Sequence, residues 1–184
     1  MGIIGKDFKY KKIKGFLDKN LLPLFSEYCK IKHKNNFGPT STFCTQVDFE
    51  SFFYADPLME SLLLNKQKYM EELTGKKLLP TYSFWRMYTY LSELAPHTDR
   101  EACEISVTVH IDNFGPSWPI YMEDTAVETE PGDAVIYLGR ELNHYRKKFK
   151  GDFHSQCFLH YVDKEGPYKS FDKDGRKCYG APKT

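Results

Sequence analysis

The spacing of apolar residues along the chain changes once, near Leu79-Pro80, from a helical period to an alternating one. Ahead of that point Asp18 precedes Leu21, Leu22, Leu24, Phe25, Tyr28 and Cys29, which recur close to i, i+3, i+4, i+7. Pro23 falls near the first turn, where a missing N–H is tolerated, so the stretch predicts a helix capped by Asp18. A second helix is predicted from Asp56-Pro57, an N-cap followed by proline at the first helical position. Its apolar stripe runs through Leu58, Leu62, Leu63, Tyr69, Met70 and Leu73 and stops at Thr74-Gly75.

Beyond Pro80 the period becomes two. Residues 81–90 are dense in aromatic and β-branched side chains. In 103–111, Cys103, Ile105, Val107, Val109 and Ile111 alternate with Glu104, Ser106, Thr108 and His110, and 153–162 is another long run of strand character. Shorter strands are predicted at 119–122, 125–130 and 134–138, the last two joined by a Pro131-Gly132-Asp133 turn. Many short strands in series, with no helices between them, imply an antiparallel sandwich or barrel. The expectation is an α+β chain in which 1–79 is mainly helical support, 80–162 a jelly-roll-like β-barrel core and 163–184 a C-terminal tail. The aromatic-rich stretches 49–53 and 161–171 are candidates for loops over a site or for a dimer contact.

Composition narrows the picture. A chain of 184 residues, 41% apolar and 28% charged, fits one domain spanning 1–184 with enough core to hold a buried site without disulfides. The net charge is +1 and the densest basic run is Lys9 to Lys14, which gives no broad footprint for phosphates, so a nucleic-acid substrate is not expected. No apolar run approaches the ~20 residues a membrane span requires, and the first fourteen residues hold no signal-like stretch, so a cytoplasmic location is expected. Lys6 stands where a myristoylation motif needs Ser or Thr. Cys29, Cys44, Cys103, Cys157 and Cys178 are odd in number and widely spaced, which predicts reduced thiols rather than disulfides or a zinc knuckle.

The chemistry concentrates at His97-Thr98-Asp99, after a strand-like run and Pro96. In an extended segment His97 and Asp99 point to one side and can ligate one ion. A second histidine from a distant strand would complete two nitrogens and a carboxylate on one face of a metal, the facial triad of non-haem Fe(II), which leaves positions open for dioxygen and substrates. His-x-Asp alone is a weak signal, and His110-Ile111-Asp112 repeats it. That copy reads more simply as a strand histidine followed by a turn-forming Asp. Arg86 and Tyr88 share one strand face and can present a cation and a phenol to an anionic cosubstrate. His144 follows the 134–138 strand by a short loop.

Five pieces in this order resemble the Fe(II)- and 2-oxoglutarate-dependent dioxygenases, prolyl 4-hydroxylase-like branch. They are Pro80-Thr81-Tyr82-Ser83-Phe84-Trp85-Arg86-Met87-Tyr88, Leu94-Ala95-Pro96-His97-Thr98-Asp99-Arg100, Pro131-Gly132-Asp133-Ala134, Glu141-Leu142-Asn143-His144-Tyr145-Arg146 and Gln156-Cys157-Phe158-Leu159-His160-Tyr161-Val162. The resemblance implies a double-stranded β-helix, a cupin-like jelly roll, with Fe(II) held by His97, Asp99 and His144. It implies 2-oxoglutarate and O2 as cosubstrates, Tyr88 beside the 2-oxoglutarate, and hydroxylation of a C–H bond with release of succinate and CO2. Halogenating relatives have a small residue at the position of Asp99, so its carboxylate favours hydroxylation.

One position departs from the family. The Arg or Lys that usually fixes the distal carboxylate of 2-oxoglutarate is replaced by His154, with Gln156 next on the same face. The anchor is then Arg146 or Arg86 with Tyr88 as hydrogen-bond donor, or a protonated His154. His154 also competes with His144 as the distal metal ligand. Trp85, Arg100, Glu104 and Trp118 are candidates for the substrate side of the mouth, and a prolyl peptide, an amino acid or another small acid would suit such a site. The runner-up is a catalytically silent barrel that binds a metal or a protein; a nucleic-acid demethylase ranks below both.

Overall fold

A computed structural model describes residues 2–36, 46–48 and 50–181. The first predicted helix is α1 (Leu22–Asn36). Asp18 shapes the turn ahead of it, its carboxylate accepting from the Asn20 N–H and its carbonyl from the Leu21 N–H, rather than capping the helix directly. The second is α2 (Pro57–Thr74). It starts as the sequence predicts, with the Asp56 carboxylate accepting from the N–H groups of Leu58 and Met59 at 3.0 and 3.3 Å. It ends at Gly75, whose φ of 75° is the left-handed conformation that glycine adopts at least cost.

Among the described residues ten strands form two facing sheets: β1 (Tyr10–Ile13), β2 (Glu50–Tyr54), β3 (Leu78–Thr89), β4 (Leu94–His97), β5 (Ile105–Phe114), β6 (Ile120–Met122), β7 (Thr125–Val127), β8 (Ala134–Tyr137), β9 (His144–Arg146) and β10 (Phe153–Asp163). The larger sheet has the order β1-β8-β5-β10-β3-β2 and the smaller β4-β9-β6-β7, with every pairing antiparallel. This is the jelly-roll arrangement the alternating pattern implies, as two facing sheets.

The expected partition of the chain is corrected in two places. β1 and β2 come from the first 79 residues and pair into the large sheet, so the barrel is not confined to 80–162. Four and five residues respectively, they were too short for their alternation to stand out from the polar segments around them. The aromatic residues of 49–53 that are described form β2 rather than a loop; position 49 lies outside the described residues. The described part of the C-terminal segment packs onto the domain, with a 3-10 stretch at Lys169–Gly175 and Arg176 paired to Glu60 of α2, both side chains nearly inaccessible.

Each long strand of the large sheet buries both faces. One face packs under the helices, where Trp85, Met87, Ile105, Val107, Val109, Ile111, Cys157 and Leu159 meet Phe25, Cys29, Met59, Leu62, Leu63 and Met70. The other looks between the sheets and carries Tyr82, Arg86, Tyr88, Ser106, Thr108, His110, His154, Gln156, Phe158 and His160, all buried. Cys29, Cys103 and Cys157 are buried free thiols and Cys178 is an exposed one, while Cys44 lies outside the described residues. Among the described residues no helix is long and apolar enough to cross a membrane.

Candidate metal centre

β4 and β9 pair so that His97 and His144 are direct register partners, which sets their rings 4.3 Å apart at one end of the two sheets. The backbone leaving β4 brings Asp99 back toward them, held by its N–H donating to the Gly139 carbonyl at 2.8 Å. Asp99 Oδ1 then lies 3.6 Å from His97 Nε2 and 3.7 Å from His144 Nε2. One donor atom from each of His97, Asp99 and His144 falls within 4.8 Å of the others. Each imidazole is also tied back: His97 Nδ1 to the Ala95 carbonyl and His144 Nδ1 to the Leu142 carbonyl, both at 2.9 Å. A carbonyl accepts only from N–H, so both rings carry their proton on Nδ1 and turn the Nε2 lone pair toward Asp99.

The electrostatics agree with a ligand set. Burial pushes the Asp99 carboxyl up, but the His97, His144 and His160 imidazoles around it outweigh that and hold the group below its ordinary range. Burial lowers His144 despite the attraction of Asp99, and pushes His160 down to about 4. An ionised carboxylate among neutral imidazoles is the protonation state that coordination requires. Asp99, Cys103 and His160 also gather within 4.8 Å. Burial raises the Cys103 thiol, which stays protonated, and its sulfur sits 3.0 Å from the Tyr82 hydroxyl, so it is a poor ligand.

Ser106, His160 and Gly139 support the centre and were not picked out by motif. The Ser106 hydroxyl lies 2.8 Å from His160 Nδ1 and 3.4 Å from Asp99 Oδ2. The only available signal for Ser106 was its place in the polar row of 103–111, a row that reads equally well as a wetted strand face.

The centre opens into a cavity of about 710 Å³ lined by Arg86, Tyr88, Arg100, Tyr137, aromatic residues of β2 and β3, and Phe158. Of the expected site residues, Arg86, Tyr88 and Arg100 reach it. Arg100 is engaged there by Asp174, whose carboxylate accepts from its two terminal nitrogens at 2.7 Å each. Trp85 is on the opposite face of β3 from Arg86 and Tyr88, 1% exposed, with its Nε1 donating to Ser155. Glu104 accepts from the Asp163 N–H, and Trp118 packs edge-on against Tyr88 at 4.9 Å as part of the inner core. None of the three lines the cavity: Glu104 and Trp118 lie in connections outside the strands, and for Trp85 alternation does not distinguish the cavity side of β3 from the helix side, since both are buried.

Arg146, His154 and Gln156 lie deeper between the sheets. The Arg146 guanidinium is over the Trp118 ring and donates one N–H to the Trp118 carbonyl, while its Nε and second terminal nitrogen have no hydrogen-bond partner among the described residues. Burial, reinforced by the fields of Arg146 and His110, pushes His154 well below its ordinary pKa, which disfavours a protonated His154 anchor. His154 stacks on His110 at 4.2 Å instead of approaching Asp99. His110 bonds the Thr129 carbonyl, and Asp112 accepts from Ser26 and Lys30, so the second His-x-Asp copy is structural. His33 is half-buried, its Nδ1 lying 2.8 Å from the Ser51 hydroxyl.

No family model and no curated protein matches the sequence. Solved structures do match the fold. A prolyl-4-hydroxylase from Pseudomonas putida aligns with a TM-score of 0.64 at 13% identity, covering 85% of this chain and 94% of that one. The viral collagen prolyl hydroxylase of Paramecium Bursaria Chlorella virus-1, solved with 2-oxoglutarate, aligns at 0.62 and 11% identity over 84% of this chain and 96% of its own. HygX from Streptomyces hygroscopicus, solved with nickel, 2-oxoglutarate and hygromycin B, aligns at 0.65 and 11% identity, covering 85% of this chain and 84% of that one. The chain therefore has the jelly-roll fold of the prolyl 4-hydroxylases and other 2-oxoglutarate-Fe(II) oxygenases.

Proposed function

We propose that the protein is an Fe(II)- and 2-oxoglutarate-dependent oxygenase that hydroxylates a C–H bond, with succinate and CO2 as coproducts. The observation that carries this reading is the convergence of His97, Asp99 and His144, with both Nδ1 atoms tied to backbone carbonyls, at the wall of a large cavity. Two imidazoles and one carboxylate on one side suit Fe(II), and leave the opposite side of the ion open for dioxygen and cosubstrate.

The chemistry of the donors below the centre also fits a dicarboxylate. Arg146 is 1% exposed and burial lowers its pKa only to about 10, so it remains a cation at neutral pH with two nitrogens that have no hydrogen-bond partner among the described residues. A buried cation without a counter-ion is costly, and a bound carboxylate would relieve that cost. Tyr88 and Tyr137, which line the cavity, are close enough to interact with it electrostatically. Arg86 is already paired with Glu50 at 3.1 Å, both side chains buried. We therefore assign the distal carboxylate of 2-oxoglutarate to Arg146, with Tyr88 beside it.

His97, Asp99 and His144 would hold the iron, which supplies the activation of dioxygen coupled to oxidative decarboxylation of the cosubstrate. This chain's residues set the conditions for that chemistry. Ala95 and Leu142 hold the two imidazoles in one tautomer, Ser106 and Gly139 fix Asp99, and the aromatic walls exclude water and orient the C–H bond. A peptide or a small molecule suits the cavity; HygX was solved with hygromycin B, and a prolyl hydroxylase of the same fold from Trichoplax adhaerens with a hypoxia inducible factor peptide fragment.

The test is anaerobic addition of Fe(II) and 2-oxoglutarate to the purified protein. A visible metal-to-ligand charge-transfer absorption, followed by succinate formation when oxygen is admitted, is the expected result. Metal binding with neither signal would leave a silent metal-binding barrel.

A further inference from the structure

A second cavity, of about 310 Å³, shares no lining residue with the one in front of the metal centre among the described residues. Part of its wall is His110 of β5 and His154 of β10, whose ring centroids lie 4.2 Å apart with planes at 35°. That spacing is close to the 4.3 Å of His97 and His144. Both rings are almost wholly buried, at 3% and 1% exposure. Each nevertheless leaves one nitrogen, His110 Nε2 and His154 Nδ1, with no hydrogen-bond partner among the described residues. Polar atoms desolvated in this way are costly unless something in the cavity meets them.

The tautomers suit a Lewis acid. His110 Nδ1 lies 3.1 Å from the Thr129 carbonyl, which accepts only from N–H, so the proton is on Nδ1 and the orphaned Nε2 carries a lone pair. His97 and His144 are tied back to carbonyls in the same way. His154 Nε2 lies 3.0 Å from the Gln156 amide, whose other end meets the Thr108 hydroxyl at 3.2 Å. A hydroxyl both donates and accepts, so the amide can turn its oxygen to His154, accept the Nε2 proton and leave the lone pair on Nδ1. Burial keeps both rings neutral, His110 at about 4, so no proton stands in the way of a metal at neutral pH.

Charge at the mouth selects a cation. Glu128 and Glu130 are exposed carboxylates there, and Lys12 is paired with Asp133 at 3.0 Å. An anion would meet two carboxylates at the entrance and a lone pair inside. The Arg146 guanidinium, whose field reaches both imidazoles, opposes a cation until a carboxylate is bound to it. Asp112, the other half of the His110-Ile111-Asp112 pair, is engaged by Ser26 and Lys30 of α1 and takes no part.

We propose that His110 and His154 form a second metal site, separate from the His97, Asp99 and His144 centre, for a divalent ion of the zinc and copper class. Imidazole suits these ions, whereas Mn(II) prefers oxygen donors and binds nitrogen sites most weakly, so the site is selective by donor type. Solvent and the carboxylates at the mouth are available for the remaining positions.

The test is calorimetric titration of Zn(II) into full-length His144→Ala protein, whose first centre lacks a ligand. One Zn(II) per chain should still bind, and adding His110→Gln should weaken it at least about 100-fold, more than the loss of a merely supporting group. His110→Gln alone should leave Mn(II) binding at the first centre unchanged. If the double variant does not fold, electron paramagnetic resonance of Cu(II) added to His144→Ala carries the test, and copper should be coupled to two imidazole nitrogens. No Zn(II) bound by His144→Ala, which would leave the two nitrogens to water, overturns the proposal. An affinity unchanged by His110→Gln, which would place the ion on the surface, or copper coupled to fewer than two imidazoles, does so equally. None of these results bears on the charge-transfer test, which reads the first centre alone.

Discussion

Gly139 lies so close to Asp99 that a Cβ built on it would stand 2.5 Å from Asp99 Oδ2, 2.5 Å from the Cys103 carbonyl and 2.7 Å from the Ser106 hydroxyl. The two residues are also joined by the Asp99 N–H bond to the Gly139 carbonyl. The missing side chain is thus part of the metal centre, since it lets the backbone after β8 press against the carboxylate. Gly139→Ala should push Asp99 out of line with the two histidines and weaken Fe(II) or Mn(II) affinity by about 10- to 100-fold, the range seen when groups supporting a ligand are lost. Calorimetric titration with Mn(II) measures it, and unchanged affinity would show that Asp99 is not held by this contact.

Replacing His144 and His154 one at a time separates the two candidate distal ligands. His144→Ala should abolish stoichiometric Mn(II) binding. His154→Ala should retain it, because His154 packs against His110 and edge-on to Trp118 and takes no part in the His97–Asp99 cluster. Electron paramagnetic resonance of added Mn(II) reads both variants directly.

The two candidate anchors for 2-oxoglutarate are distinguished in the same way. Arg146→Met removes a buried cation with unpaired N–H groups and should weaken 2-oxoglutarate binding by at least about 30-fold, the scale of losing a buried charge partner. Arg86→Met should leave it within a few-fold, since Arg86 is engaged by Glu50. Affinity measured anaerobically from the charge-transfer band reports each, and equal losses would refute the assignment to Arg146.

Stability should fall in mild acid. Burial first, and then the Arg146 charge, pushes His110 from 6.5 down to about 4 in the folded protein, outweighing its bond to Thr129. Between those values the unfolded chain binds the proton and the folded one does not, so stability declines as pH drops from about 6.5 and the loss is complete near 4. The contribution is on the order of 3 kcal/mol. Urea unfolding from pH 7.5 to 4.5 should show this slope, and His110→Gln should remove its share of it, the buried His160 and His154 supplying the rest.

The C-terminal segment should be indispensable to the fold. Arg176 pairs with Glu60 of α2, with both side chains at 2% exposure or less, and also donates to the Thr81 carbonyl. Arg176→Met would leave Glu60 charged and buried, a loss of about 3–5 kcal/mol. In a chain of this length that lowers the melting temperature by roughly 10 °C, readable by circular dichroism.

Local rules were enough to read much of this architecture from the chain. Asp56-Pro57 and Gly75 bound α2 because capping and left-handed geometry depend only on neighbouring residues. The long strands announced themselves through alternation, and the His97-x-Asp99 spacing through the geometry of an extended segment. The polar row of β5 was visible too, although its burial was not.

Pairing across the fold was decided only by tertiary structure. Whether Arg86, Arg100 or Arg146 is available to an anion depends on Glu50, 36 positions from Arg86, on Asp174, 74 positions from Arg100, and, among the described residues, on no carboxylate pairing with Arg146. Nothing local to an arginine reveals such partners. Which face of β3 looks into the cavity was equally hidden, because Trp85 and Arg86 are both buried and differ only in what covers them, α2 on one side and the second sheet on the other. Sequence determines periodicity and backbone geometry because these arise from adjacent residues, whereas charge compensation and cavity walls arise where distant segments meet.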